Sequence, residues 1–544
     1  MRFFSVFFTG NGSKLTSFFS MDFLLLFLPL TILLYALMPK KAKKYLLLFM
    51  SFVFFALISG WLLIYLVVSV LSMLGFGVWM EKIHKQRKAA LKEVAKEEKK
   101  AIKSRFQKKS QRVLALAVLV HLGGLLVIKY SAFFAFNVNT VLSWTKTSVR
   151  MYVPHFVMPI GISFFTLQAI SYLVDVYHEL MPADRNFFRL ALFLSFFPQI
   201  VEGPICRYND TAPKLWNVST IHYENLTRGV QRICYGMMKK VVVADRLNPL
   251  VQNVFDNYQT YDGGIIAFAA ICYTIQLYCD FSGAMDAVLG VSQIFGVSMP
   301  ENFQRPFFSR TISEFWKRWH ISLGAWFKDY IFYPVTMSGP MKKMTSAARK
   351  KLGNHFGPLL AGAVALLCVW FCNGLWHGAG WNYIFFGMYH FVLILFGNAI
   401  APAVRCVNQK LHLKSESRPY IWLQVVRTTV LVIIGELFFR ASGFISGCRM
   451  FGTMVTGFTF KGFNNDTLKM LGVDVLDLAI VAITMVIVFI CSLLKEKGFG
   501  LREEISKKNV VLRWVLFYAL IMYIIVFGAY GFGYVPVDPM YAEF

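Results

Sequence analysis

Trp61–Trp79 reads WLLIYLVVSVLSMLGFGVW, nineteen residues without a charge. At about 1.5 Å per residue a helix of that length nearly matches the ~30 Å hydrocarbon layer of a bilayer. The same texture returns at Met21–Leu37, Tyr45–Leu57, Val113–Ile128, Ala361–Phe371, Tyr383–Phe396 and Val511–Phe527. Spanning takes about 20 apolar residues, with tilted or re-entrant pieces shorter. The pattern predicts an all-α polytopic transmembrane bundle of roughly ten or eleven spans. Composition agrees: 57% of the 544 residues are hydrophobic and 16% charged. A soluble globular chain carries about a quarter charged residues, so this one lacks the polar surface to cover itself in water.

No cleavable leader is expected. The apolar run Arg2 to Phe8 is short, and no small-residue cleavage site separates Leu37 from Lys40 and Lys41. Residues 1–20 read as a weakly structured or interfacial lead-in.

The net charge of +27 is unevenly placed. Between Glu81 and Arg112 there are 13 Lys or Arg against four Glu, set between two apolar blocks. Short basic loops beside spans mark the cytoplasmic side and attract anionic lipid headgroups, so residues 81–112 read as a cytoplasmic loop. A second cluster, Lys342 to Lys351, is assigned the same side. Only Phe106 interrupts the first run with an aromatic ring, which argues against nucleic acid as a partner. Nine cysteines lie mostly inside apolar segments, with no CxxC or Cys/His metal spacing. They read as small apolar residues, and neither a disulfide framework nor a metal site is expected.

Residues 151–400 differ from the ends. Their apolar runs are broken by Pro159, Gly161, Pro198, Gln199, Glu202, Gly203, Pro204, Asp280, Ser282 and Gly283. Irregular backbone and ionisable groups at membrane depth are tolerated inside protein or beside a watery cavity. The middle of the chain should therefore hold the site, with 21–150 and 401–544 as scaffold.

Three constellations could carry chemistry. In Arg305–Pro334, RPFFSRTISEFWKRWHISLGAWFKDYIFYP, Thr311 and Glu314 form a capping-box pattern that predicts a helix start. On one continuous helix Trp316, Trp319 and His320 would share a face, and Glu314 would pair with Arg318. Read neutrally, this is an interfacial helix with Trp anchors. In Trp370–His390, WFCNGLWHGAGWNYIFFGMYH, His377 sits between Gly374, Gly378 and Gly380. An imidazole in an apolar span suits proton transfer near neutral pH. The bland alternative is a core histidine bonded to a carbonyl. In Tyr278–Asp286, YCDFSGAMD, Asp280 and Asp286 need cationic partners, expected from Arg305 to Lys328. Structural pairing is their first reading, while Glu202 is balanced between structure and site lining. His84, His121 and His412 are weaker candidates. His320 and His377, 57 residues apart, are placed to meet at one cavity. No GxSxG elbow, phosphate loop or HExxH helix is present, so direct histidine-assisted transfer is more economical than a serine route.

These stretches resemble the membrane-bound O-acyltransferase family, in particular the branch of the alginate O-acetylation protein and the D-alanyl transfer protein of teichoic acid synthesis. The resemblance is carried by Met158–Tyr177, Phe196–Tyr208, Gly236–Val251, Tyr278–Asp286, Asn302–Tyr330 and Asn373–Trp381. It implies a helical bundle around a funnel or tunnel, with residues 151–400 as the catalytic core. His377 in the WHG motif is then the catalytic histidine and His320 in the RWH motif the second. Asn373, Trp376, Trp319, Glu202, Asp280 and Ser282 are the substrate or tunnel-lining candidates. It implies no bound cofactor; the co-substrate is an acyl thioester, acetyl-CoA or acyl-carrier protein. The acceptor is a hydroxyl of a surface polysaccharide or of teichoic acid, and a secreted or membrane-anchored acyltransferase is the expected partner. The implied location is the bacterial plasma membrane. A rival from another class, a non-catalytic lipid or glycan transporter, predicts inverted repeats with paired broken helices, which the sequence does not display.

Overall fold

The computed structural model describes residues 18–145, 147–217 and 220–530. Most of the expected lead-in at 1–20 lies outside the described residues. Regular structure among them is helical, apart from one isolated bridge between Phe303 and Trp319. Eight stretches are long and apolar enough to cross a membrane, and Asp22–Leu37 and Ile162–Tyr177 are shorter apolar helices. One of the eight, Lys43–Ala90, is broken at Gly60, whose φ of 56° and ψ of −131° end one helix before the next begins. Counting both halves of that stretch and the two shorter apolar helices gives eleven, within the expected ten or eleven.

The chain divides into two units, residues 1–230 with 288–300 and residues 231–287 with 301–540. In the first are α1 (Asp22–Leu37), α2 (Lys43–Ser59), α3 (Leu63–Ala90), α4 (Lys99–Trp144), α5 (Ile162–Tyr177), α6 (Phe187–Ser195) and α7 (Tyr208–Trp216). Leu66, Val70, Met73, Gly77 and Met80 of α3 are buried at spacings of three and four, as are Val113, Ala117, His121 and Leu125 of α4. Those two seams pack the helices as a hairpin. His121 lies 3.1 Å from the Ser72 hydroxyl and His84 lies 3.0 Å from that of Ser110. Both histidines are thus satisfied within the α3–α4 seam. The basic segment 81–112 consists of the extended ends of α3 and α4, joined by residues 91–98. Phe23, Phe27, Phe54 and Phe197 form an aromatic core with neighbouring ring centroids 5.3 to 6.3 Å apart. Gly161 has φ of 74°, and a Cβ there would overlap the Ile200 carbonyl, so only glycine fits before α5.

The second unit is entered through α8 (Tyr223–Met237) and contains α9 (Asp245–Asp256) and most of α10 (Gly263–Ile294). It continues through α11 (Ile312–Arg318), α12 (Ile321–Phe327), α13 (Tyr333–Met337), α14 (Gly339–His377), α15 (Trp381–Lys410) and α16 (Arg418–Arg440). α17 (Phe444–Thr456), α18 (Asn465–Met470), α19 (Val475–Glu496), α20 (Leu501–Ser506) and α21 (Val510–Phe527) complete it. α14 kinks at Gly353, φ 76°, which separates the basic stretch 342–351 from the apolar run to His377. It packs closely on α15: a Cβ on Gly387 would overlap the Trp370 carbonyl and one on Gly374 would reach 2.6 Å from that of Tyr383. Small residues at a helix crossing let the backbones approach, the usual device where lipid removes the hydrophobic drive for helix association.

Candidate active site

Local chemistry breaks the helix expected to carry His320. Thr311 caps α11 by accepting from the Glu314 N–H at 3.1 Å. Glu314 accepts from the Arg310 N–H at 2.9 Å, one residue earlier than a reciprocal capping box would have it. Its other oxygen pairs with Arg318 at 2.7 Å, as expected four residues on. After that pair the helix stops. Trp319 is extended, and His320 takes left-handed angles of φ 47° and ψ 51° as the cap of α12. So Trp316, Trp319 and His320 do not share one helix face.

What competes with the helix is the segment 302–304. Gln304 N donates to the Arg318 carbonyl at 2.9 Å and Ile321 N to the Asn302 carbonyl at 3.1 Å, flanking the Phe303–Trp319 bridge. The Asn302 side-chain oxygen accepts from Ser322 N at 2.9 Å and lies 3.5 Å from His320 Nδ1. Left-handed backbone at a residue with a Cβ costs energy and persists where its surroundings over-determine it, as this clamp does.

Trp319 is not a membrane anchor. It is buried in an aromatic box, stacked on Phe315 at 5.4 Å and edge-on to Phe303 at 5.0 Å, with Tyr278 at 6.0 Å. The His320 ring stands edge to face against Phe281 at 4.8 Å and Trp376 at 5.6 Å. With its side chain 3% exposed, burial holds the His320 pKa well below that of a free imidazole, and the ring is neutral at neutral pH.

His377 is the last residue of α14, at a helix end rather than mid-span. It is buried, with its ring 5.0 Å from Trp376, 5.0 Å from Phe439 and 6.0 Å from Phe386. The Asn382 amide fixes Phe439 by donating to the carbonyls of Phe439 and Ala441 at 3.2 and 3.1 Å. Trp376 therefore touches both candidate histidines, which come together around its indole. Asn373, one turn earlier on α14, is buried too.

The carboxylates find other partners than expected. Asp286 pairs with Arg232 at 2.9 Å and Lys239 at 2.6 Å, and Asp280 with Lys240 at 2.6 Å. Lys239 also donates to Ser282 at 2.9 Å. The cations come from α8 and the π-helical turn Met238–Ala244, not from Arg305 to Lys328. Lys239 and Lys240 are neighbours in that π-helical turn, Lys239 reaching Asp286 and Lys240 reaching Asp280 on α10. Asp280 and Ser282 thus belong to a buried ion-pair lattice beside Tyr278 and the Trp319 box. Glu202 is buried in the first unit, in the turn after α6.

Two buried groups went unnoticed in the sequence. His390 on α15 is enclosed by Trp316, Trp370 and Phe386 at 4.9, 5.4 and 4.7 Å, and neither ring nitrogen has a hydrogen-bond partner among the described residues. Glu436 on α16 is buried and accepts a hydrogen bond from Thr274. A lone carboxylate in the apolar run Val430–Phe439 was the available signal for Glu436.

The model of the membrane-bound O-acyltransferase family matches residues 25–349, a stretch that includes His320 and ends before His377. A probable alginate O-acetylase of Azotobacter vinelandii is 32% identical over 85% of this chain and 83% of its own length. A peptidoglycan O-acetyltransferase of Helicobacter pylori is 30% identical over 63% of this chain and 64% of its own. A teichoic acid D-alanyltransferase of Bacillus subtilis is 29% identical over 52% of this chain and 67% of its own. The chain belongs to the membrane-bound O-acyltransferase family.

Proposed function

We propose that this multi-pass membrane acyltransferase moves an acetyl group from a thioester donor to a hydroxyl of a cell-surface polysaccharide. The observation that carries the reading is the contact of both His320 and His377 with the indole of Trp376. The relatives' names support the acyl group and acceptor class: an alginate O-acetylase covers most of the chain, a D-alanyltransferase about half. D-alanyl transfer to teichoic acid is the second reading.

In this mechanism His377 takes the proton of the acceptor hydroxyl as its oxygen attacks the thioester carbonyl. The C–O bond forms, the C–S bond breaks, and the proton held by His377 passes to the departing thiolate. Neutral His320 orients the donor carbonyl or the attacking hydroxyl. A general base of this kind contributes about 10²–10⁴-fold in rate. The surrounding rings exclude water, which suppresses hydrolysis of the thioester. The donor, acetyl-CoA or an acyl-carrier protein, arrives from the cytoplasm, the side assigned to the basic ends of α3 and α4 by the positive-inside rule. A secreted or membrane-anchored acyltransferase completes delivery to the polymer. The location is the bacterial plasma membrane.

The test compares cell-envelope polymers with and without the gene, scoring base-labile acetyl and D-alanyl esters by mass spectrometry. Loss of acetyl from a polysaccharide is the expected result. Loss of D-alanine moves the protein to the second reading, and no change in either ester overturns both.

A further inference from the structure

The α3–α4 hairpin carries its charge in an order that the acyl-transfer reaction does not use. Residues 91–100 hold four Lys and three Glu and are nearly neutral, whereas Lys99–Arg112 holds seven cations and no acid. At 100° per residue Arg105, Lys108, Lys109 and Arg112 fall within an arc of about 100° on α4. All four are exposed, and no ion pair among the described residues involves them. Three of the four cations of α3 are different: Lys85 pairs with Glu81, and Arg87 and Lys88 pair with Glu179.

Below Lys108 and Arg112 an apolar groove of 440 Å³ runs along α4 between Gln111 and Leu126. Leu114, Leu119 and Leu122 line it together with the small residues Ala115 and Gly123. It lies on the side of α4 opposite the Val113, Ala117 and His121 seam that packs on α3. Leu119 is 66% exposed, so this face is open rather than packed against another helix of the chain.

The dimensions match a phospholipid. From residue 111 to 126 the groove extends about 22 Å, more than the ~15 Å of hydrocarbon in one leaflet. The quartet occupies the next ~10 Å, against a headgroup layer of about 5–8 Å. A soluble acidic partner would be served best by charge at the hairpin tip, where the balance is nearly even. We propose that this face of α4 is a binding site for an anionic diacyl phospholipid, an acyl chain in the groove and the headgroup phosphate on Lys108 and Arg112, with Arg105 and Lys109 beside them.

The experiment is native mass spectrometry of the detergent-purified full-length protein with added phosphatidylglycerol or phosphatidylcholine. Wild type should retain phosphatidylglycerol at least about tenfold better, since each cation near a lipid surface contributes appreciably. Replacing Arg105, Lys108, Lys109 and Arg112 together by Gln should abolish the preference. Gly123→Leu, which fills the groove and removes no charge, should reduce retention of both lipids several-fold. Exchanging Lys108 and Lys109 for Arg should preserve the preference, and unchanged size-exclusion elution controls for folding in all three. Equal retention of the two lipids by wild type overturns the proposal, as does full retention in Gly123→Leu. Displacement by poly-L-glutamate with no lipid preference reassigns the patch to an acidic protein.

Discussion

The imidazole of His320 and the indole of Trp376 stand edge to face with ring centroids 5.6 Å apart, the same indole that packs at 5.0 Å against His377. His320 reaches that position only because its helix breaks one residue earlier. The break depends on the 302–304 segment, which ties the position of His320 to Asn302.

Replacing Asn302 by Leu removes the acceptor for Ser322 N–H and the polar atom facing His320 Nδ1. A lost buried hydrogen bond costs about 1–3 kcal/mol. Misplacing a reacting group by about 1 Å costs up to ~10²-fold in rate. Asn302→Leu should therefore melt at a lower temperature and lose turnover, while Asn302→Asp should recover part of both. The check is thermal unfolding in detergent beside an ester-transfer assay; unchanged turnover in Asn302→Leu removes the positioning role.

His320 also predicts a pH dependence of stability. Its folded pKa is held down by burial, while the unfolded ring titrates near 6.5. Between those values the unfolded chain binds the extra proton, so this residue's share of stability is present above about pH 6.5 and is lost as pH falls below it. Wild type should thus lose more stability than His320→Phe as pH drops from 7 to 5. Parallel melting curves for the two proteins would show that His320 is not buried neutral.

Asp286 pairs with buried Lys239 and with Arg232, which keeps Glu301 as a second partner, so Asp286→Ala should leave Lys239 uncompensated at a cost of about 3–5 kcal/mol. Removing charge on both sides, with Asp286→Leu and Lys239→Met together, should recover much of the loss. Thermal unfolding of both variants checks this; a mild effect of the single substitution would mean that the lattice carries little of the fold.

Gly387→Ala should force α14 and α15 apart, since the new methyl would overlap the Trp370 carbonyl. Overpacking of this kind costs about 1–3 kcal/mol. Because Trp370 lies two turns before His377, a fall in turnover should accompany the lower melting temperature. A melting temperature equal to wild type would show that the helix pair has slack.

The spans and the Glu314–Arg318 pair were legible because each follows from local composition or a spacing of a few residues, and the expected meeting of His320 and His377 matches their shared contact with Trp376. The Trp319–His320 break was not legible. Thr311 and Glu314 favour a helix onward, and the segment that stops it lies about fifteen residues earlier and acts only once folded. The partners of Asp280 and Asp286 were misassigned for a related reason: Lys239 and Lys240 lie some forty residues away, in a π-helical turn with no sequence mark. Trp319 was read as an anchor because amphipathic aromatics commonly sit at membrane interfaces, and only its buried box shows otherwise. His390 lay inside a quoted stretch but has no polar neighbour in sequence to single it out.

The most direct test is the turnover of purified His377→Ala, measured as ester formed on the acceptor polymer, beside its melting temperature. The mechanism predicts a fall of about 10²–10⁴-fold with melting close to wild type. Turnover within a factor of about two of wild type, in a folded protein, would contradict the assignment of His377 as the general base.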